Sequence, residues 1–280
     1  MMKGQLSIKK TLSADIQEGV CSYLANESGL SKSRIKDAMT KGALWLSTGR
    51  GTKKRFRKAS ANLPAGSTLE LYYDELLLQK TPPPAKLLAD FTRYSLWYKP
   101  SGLLSQGTMY GDHCALLRQA EQHFNLKRQV FLIHRLDLET SGLILIAHTK
   151  AAAAALSELF QSGKITKNYR AEITGRPAQD KGTIALPLDG KTAITEYEIM
   201  GYDPETDSST VFITIRTGRL HQIRRHFEMI GHPVAGDPKY GKNNKNKDGL
   251  KLSATGLHFV CPLTRKPQNF NLESFPSAQL

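Results

Sequence analysis

Residues 130 to 147 constrain this chain more than any other stretch. Two apolar runs, Val130 to Ile133 and Leu143 to Ala147, enclose a polar turn that reads His134, Arg135, Leu136, Asp137, Leu138, Glu139, Thr140, Ser141, Gly142. Short apolar runs bounded by turn residues read as buried segments. The spacing predicts a buried strand, a tight turn and a second buried segment. A turn held between packed segments can fix a reactive group closely. Asp137 is the carboxylate so held, and the cation of Arg135 beside it favours the ionised form. A lone Arg-x-Asp reads equally well as a structural ion pair, so the rest of the chain has to decide.

The chain divides near Thr81-Pro82-Pro83-Pro84, because three prolines in a row favour an extended spacer and end regular structure. We read residues 1–80 as a small module, 81–89 as a proline-rich linker and 90–280 as a second domain. In the module, Ile16, Val20, Tyr23 and Leu24 mark one face of a helix, with Ser13 as its cap and Gly29 as its stop. Ser31 caps a second helix, with Ile35, Ala38 and Met39 inward and Gly42 as its stop. Leu44 and Leu46 alternate as a strand, as do Leu69, Leu71 and Tyr73 after the turn Pro64-Ala65-Gly66. Between these strands, Arg50 to Lys58 holds no acid, and Phe56 interleaves its Lys and Arg residues. Such a run is ordinarily a solvated loop. With an aromatic inside it, it can also track a phosphate backbone and stack on a base, and Arg55, Arg57 and Lys58 are the candidate contacts.

In the second domain, Val211, Ile213 and Ile215 alternate as a strand. Ala151 to Gln161 reads as a helix with Leu156, Leu159 and Phe160 inward and Gly163 behind it. Ile223, Phe227 and Ile230 form the buried stripe of another helix, from whose other faces His221, Arg224 and Arg225 project. The order of elements predicts an α+β fold with a mixed, largely antiparallel sheet and a small N-terminal α/β domain. Lys242 to Gly249 reads as a mobile basic loop.

A formal charge of +14, from 39 basic and 25 acidic residues, suits a polyanionic partner, with nucleic acid favoured over a membrane surface. Charge alone fits plain solubility as well. No apolar run approaches the roughly 20 residues of a membrane span. The start, Met1-Met2-Lys3-Gly4-Gln5, lacks the apolar core of a secretion signal. Cys21, Cys114 and Cys261 are few, odd in number and far apart, which fits a cytoplasmic location and gives no metal-ligand spacing.

The stretch His-Arg-Leu-Asp-Leu-Glu-Thr-Ser-Gly at 134–142 resembles the catalytic signature of RNA pseudouridine synthases of the RluA type, at every fixed position. Lys99-Pro100-Ser101-Gly102 resembles the Lys-Pro-x-Gly element of that family, with Tyr98 where Asn is usual. Lys167-Asn168-Tyr169-Arg170-Ala171 resembles its Lys-x-Tyr-x-Ala segment. Gly218 to His226 resembles its third motif, followed by Gly231-His232-Pro233 and Gly236-Asp237-x-x-Tyr240-Gly241. The similarity runs from about residue 90 to 276, and several co-linear motifs are far more specific than one short pattern. The module resembles, through Ser31-x-Ser33-Arg34-Ile35 and Leu63-x-x-Gly66-x-x-Leu69, the S-four-like RNA-binding domain first seen in a ribosomal small-subunit protein.

The resemblance implies a pseudouridine synthase catalytic domain in which Asp137 acts on the nucleotide, Arg224 is its cation and Tyr169 stacks on the base. It implies that Ile223 closes the base pocket. Arg135, exposed at its turn, fills the gap left when the target base leaves its stack. Lys99 and Lys167 are expected as phosphate contacts. His134 and His221 read as structural histidines. The isomerisation breaks and remakes a bond within one nucleotide, so it calls for no cofactor, metal or group donor. It calls for a group such as a carboxylate to attack covalently or abstract a proton, and the sequence leaves open which. The rival readings are a non-catalytic RNA-binding protein and another RNA enzyme. A methyltransferase usually needs a glycine-rich nucleotide loop, and none stands out. The kinase His-Arg-Asp register is broken by Leu136, with no Asp-Phe-Gly following. The expected partner is RNA, with ribosomal RNA favoured by the appended module and transfer RNA the alternative. No membrane and no obligate protein partner are implied.

Overall fold

The computed structural model describes residues 4–49, 51–242, 244, 246 and 248–275. Arg50 of the basic run and Asn243, Lys245 and Lys247 of the basic loop lie outside the described residues. The chain forms two units, residues 1–82 with 106–119, and residues 83–105 with 120–280. This differs from the unbroken second domain expected from residue 90. Residues 106–119 belong to the first unit because Asp112 there meets Arg55 and Arg57, and the Met109 carbonyl accepts from Trp45 Nε1 at 2.9 Å.

The first unit runs β1 (Gln5–Thr11), α1 (Val20–Ser28), α2 (Lys32–Thr40), β2 (Leu44–Thr48), β3 (Lys54–Arg55), β4 (Ser67–Asp74) and α3 (Glu75–Leu78). Its sheet has the order β1-β4-β2-β3, with every pair antiparallel. β4 buries Ser67, Leu69, Leu71 and Tyr73 in strict alternation, as the two-residue period of a strand requires. Val20, Leu24, Ile35, Ala38 and Met39 from the two helices fill the core against it. Ser31 caps α2 by accepting from the Arg34 N–H at 3.3 Å.

One helix boundary differs from the sequence reading. α1 starts at Val20 rather than after Ser13, because Gly19 takes φ 82° and Ile16 pairs with Leu63 as an isolated bridge. α2 ends as the sequence implied, with Lys41 as its C-cap and the left-handed Gly42, at φ 82°, directly behind it. The basic run is also corrected. Lys54 and Arg55 form β3 on the edge of β2 rather than part of a loop, and Phe56 is half-buried against the core.

The second unit contains β5 (Lys86–Asp90) and β6 (Tyr94–Lys99), and the chain continues through α4 (Leu116–His123) and β7 (Phe131–Leu132). Then come β8 (Ser141–Ala147), α5 (Lys150–Gln161), β9 (Thr166–Thr174), β10 (Lys181–Ile184), β11 (Thr195–Asp203) and β12 (Ser208–Ile215). α6 (Gln222–Met229), β13 (Leu252–Val260) and β14 (Pro267–Asn271) complete it. The 10-stranded sheet has the order β10-β11-β12-β9-β13-β8-β6-β5, with β14 on β13 and β7 on β8. The β13–β8 pair is parallel and the other pairs are antiparallel. The fold is therefore α+β on a largely antiparallel sheet, as the order of elements implied. Leu96, Leu143, Leu145, Leu156 and Phe259 pack its core, with α5 against β8. No described helix is long and apolar enough to cross a membrane.

The parallel pair explains one motif residue. Gly142, at φ 116°, pairs with Ala254, and a Cβ at Gly142 would run into the Ala254 backbone. Only glycine lets β8 leave the polar turn this close to β13.

Candidate active site

A cavity of about 670 Å³ opens in the second unit. Its walls are the 133–137 turn between β7 and β8, Tyr169 of β9, Ile215 at the end of β12, the 216–221 loop and the first turn of α6. Asp137 lies on this wall, and the peptides on both sides of it are tied down. The Ser105 hydroxyl donates to the Leu136 carbonyl at 2.8 Å and accepts the Leu136 N–H at 3.1 Å. The Leu138 carbonyl accepts from Gly102 N at 2.8 Å and from Lys99 Nζ at 3.2 Å. Bonds on both flanks fix where the carboxylate points.

Arg224 comes from α6 and is only 2% exposed. Its Nε and Nη2 donate to the two oxygens of Asp237 at 2.7 and 2.8 Å. Its Nη1 reaches Asp137 Oδ2 at 3.3 Å and Glu139 Oε2 at 3.4 Å. Burial alone would disfavour this cation, but Asp237 and Asp137 outweigh it and hold the guanidinium protonated. Burial also pushes the Asp237 carboxyl up. Arg224 and the N–H groups of Lys239 and Tyr240 more than reverse that, and lower it below its usual range. The buried charges are thus paired and hydrogen-bonded, the condition for keeping them in a core.

Tyr169 is buried with its ring on the cavity. Burial, with the charge of Asp137, pushes its phenol up, so it keeps its proton and can donate. His134 accepts the Leu145 N–H on Nε2 at 3.0 Å and stacks on Phe160, ring centroids 4.1 Å apart. Burial lowers its pKa to about 3, so it is neutral and braces the wall. Gln222 is a second brace. Its carbonyl accepts from Thr217 Oγ1 at 2.8 Å and Arg219 N at 3.1 Å, and its amide donates to the Ile194 carbonyl at 2.9 Å. Among the described residues, no group of three or more His, Cys, Asp or Glu is placed to hold a metal ion.

The family model described as RNA pseudouridylate synthase matches residues 93–229. The dual-specificity RNA pseudouridine synthase RluA of Yersinia pestis is 34% identical over 194 residues, which cover 63% of this chain and 92% of that protein. The chain belongs to the RNA pseudouridine synthase family. An uncharacterised family member of Bacillus subtilis, YjbO, is 31% identical over 186 residues, 61% of this chain and 62% of YjbO. The chain thus spans about three fifths of that relative's length. The structure of human RNA pseudouridylate synthase domain containing 1 superposes with a TM-score of 0.57 at 22% identity, covering 71% of this chain and 90% of that one, and shows the same fold.

In this family member the structure brings Asp137, Tyr169 and Arg224 to one cavity, with Ile223 in its wall and Arg135 exposed beside it. Arg224, expected as the cation of Asp137, reaches that carboxylate from a buried position on α6. Asp237 supplies the charge that makes its burial tolerable. Lys99 and Lys167, expected as phosphate contacts, are both buried. Lys99 Nζ donates to the carbonyls of Pro100, Leu103 and Leu138, and Lys167 Nζ to those of Arg216 and Thr217. They brace the site's loops instead. In the first unit, Arg55 and Arg57 are paired with Asp112, while Lys58 is exposed. Ser105, Glu139 and Asp237 were missed. Asp237 stood in a quoted motif without a role, and no local pattern marked Ser105.

Proposed function

We propose that this protein isomerises uridine to pseudouridine in RNA, with Asp137 acting on the nucleotide. The observation that carries the reading is the contact of Arg224 with Asp137 across 87 residues of chain, in a cavity that Tyr169 also lines. In the reaction the bond from uracil N1 to the sugar breaks, one from C5 to the sugar forms, and the C5 proton is exchanged for one on nitrogen. A carboxylate held by a buried cation can attack covalently or take the proton in such a step. Tyr169 offers a flat face for the base and a hydroxyl that keeps its proton. The cavity is large enough for one nucleotide. The target base leaves its stack to reach Asp137, and exposed Arg135 takes the space behind it. The first unit, an S-four-like RNA-binding module by its motifs, extends the footprint over a large structured substrate, and for that reason we favour ribosomal RNA.

The test is tritium release from RNA labelled at uracil C5. The wild-type protein should release tritium, and Asp137→Asn and Asp137→Ala should not, while their RNA affinity stays near wild type. Variant turnover within tenfold of wild type, about 1.4 kcal/mol of barrier, would remove Asp137 from its role.

A further inference from the structure

His221 is the N-cap of α6 and adopts the left-handed conformation, φ 51° and ψ 33°. A residue with a Cβ is strained there, and Gly or Asn would fit at less cost. The imidazole does not repay the strain by capping, since the His221 side chain makes no cap hydrogen bond to α6. The loop ahead of the helix is organised by Gln222 instead. Nothing in the local fold therefore calls for histidine, and strain of this kind concentrates at functional sites.

The ring is aimed. Its Nδ1 is 3.0 Å from the Tyr240 hydroxyl, and the ring lies in the cavity wall with Nε2 3.8 Å from Asp137 Oδ2. When the Tyr240 hydroxyl donates to Nδ1, the neutral ring carries its proton on Nε2, toward Asp137. Tyr240 is itself placed by its neighbour, since the Tyr240 N–H donates to Asp237 at 3.0 Å. Arg224 Nη1 also meets Asp137 at Oδ2. Both contacts therefore fall on the same oxygen.

We propose that His221, anchored by Tyr240, is a positioning residue that joins Arg224 on Asp137 Oδ2 and leaves Oδ1 to meet the uridine. The gap of 3.8 Å closes to a hydrogen bond when RNA fills the cavity, because such contacts are often long in unliganded sites and tighten in the complex. Two N–H groups on one oxygen then stop the carboxylate from rotating. The proposal rests on the reading of Asp137 as the reacting group.

The experiment compares His221→Asn, His221→Gly and Tyr240→Phe with wild type in single-turnover tritium release at saturating RNA, alongside RNA affinity and thermal midpoint. Asn and Gly both accept the left-handed backbone, so the midpoint should stay within about 4 °C of wild type or rise. RNA affinity should hold. The saturated rate should fall by up to about a hundredfold, the scale of a misplaced reacting group. Tyr240→Phe keeps its ring under Arg224, 5.3 Å from the guanidinium carbon, and should lose less. Adding it to His221→Asn should cost nothing further, because the two act as one unit. A His221→Asn protein that turns over at the wild-type rate, or a double variant whose loss is the product of the single losses, overturns the proposal. If wild type itself releases no tritium, the functional reading falls and this proposal with it. Active wild type, inactive Asp137→Asn and active His221→Asn remove only the role of His221.

Discussion

Asp237 grips Arg224 through both Nε and Nη2, and so leaves Nη1 alone to reach Asp137. The contact with Asp137 is the remainder of a stronger one. Asp237 is 1% exposed and Arg224 2%, so neither charge can be left without the other.

Asp237→Ala should therefore destabilise the protein by about 3–5 kcal/mol, the cost of stranding a buried charge, read as a drop in the urea midpoint. Asp237→Asn keeps the shape and should cost less. Both should slow tritium release at saturating RNA, since Arg224 loses its direction. Wild-type stability in Asp237→Ala would show that the guanidinium finds another partner.

Lys99 gives a pH signature. Burial lowers its pKa to about 8, even though Asp137 and Glu139 pull it up, and burial takes Lys167 to about 8 as well. The ordinary lysine value is 10.5. Between these values the unfolded chain binds more protons than the folded one, so stability rises with pH across that window. Below it both states are charged, and folding carries the full cost of burying the cations. The urea midpoint should thus be higher at about pH 9.5 than at about pH 7.5, and Lys99→Met should flatten the rise. The raised phenol of Tyr169 acts in the opposite sense only at higher pH. A midpoint that falls over the window in wild type would contradict the burial of these cations.

In the first unit, Lys54 and Lys58 are exposed, whereas Arg57 is paired with Asp112 and Arg55 Nε lies 3.1 Å from the same carboxylate. Lys54→Ala and Lys58→Ala should each lower the log–log salt slope of RNA binding by about 0.7 to 0.9 if they touch phosphate. Arg57→Ala should leave that slope unchanged and lower the thermal midpoint instead. A reversed pattern would place the arginines, not the lysines, on the RNA.

Gly142→Ala places a methyl group against the Ala254 backbone and a Cβ at φ 116°. The variant should unfold at clearly lower urea than wild type, by on the order of 2 kcal/mol or more, and lose activity with the fold. Retention of wild-type stability would mean that β8 and β13 separate without cost.

The α+β class, the turn around Asp137, the strand 211–215 and the helices at 150–161 and 222–229 were legible in the sequence, because each depends on local periodicity and turn chemistry. The co-linear motifs identified the family for the same reason, since they preserve residue types along the chain. What the letters do not contain is pairing. The motifs place Arg224 beside Asp137, but no local pattern marks Asp237, 13 residues on, as the carboxylate that neutralises it. Lys99 and Lys167 read as phosphate contacts until the carbonyls that accept from them are in view, 39 residues away for Leu138 and 50 for Thr217. Arg55 and Arg57 look free until Asp112 returns from beyond the proline run. The sequence by itself determined which elements form and which family's chemistry they carry. Only the tertiary structure decided which charges are paired inside the fold and which line the cavity, because electrostatic pairing and desolvation act through space between residues that no short-range pattern connects.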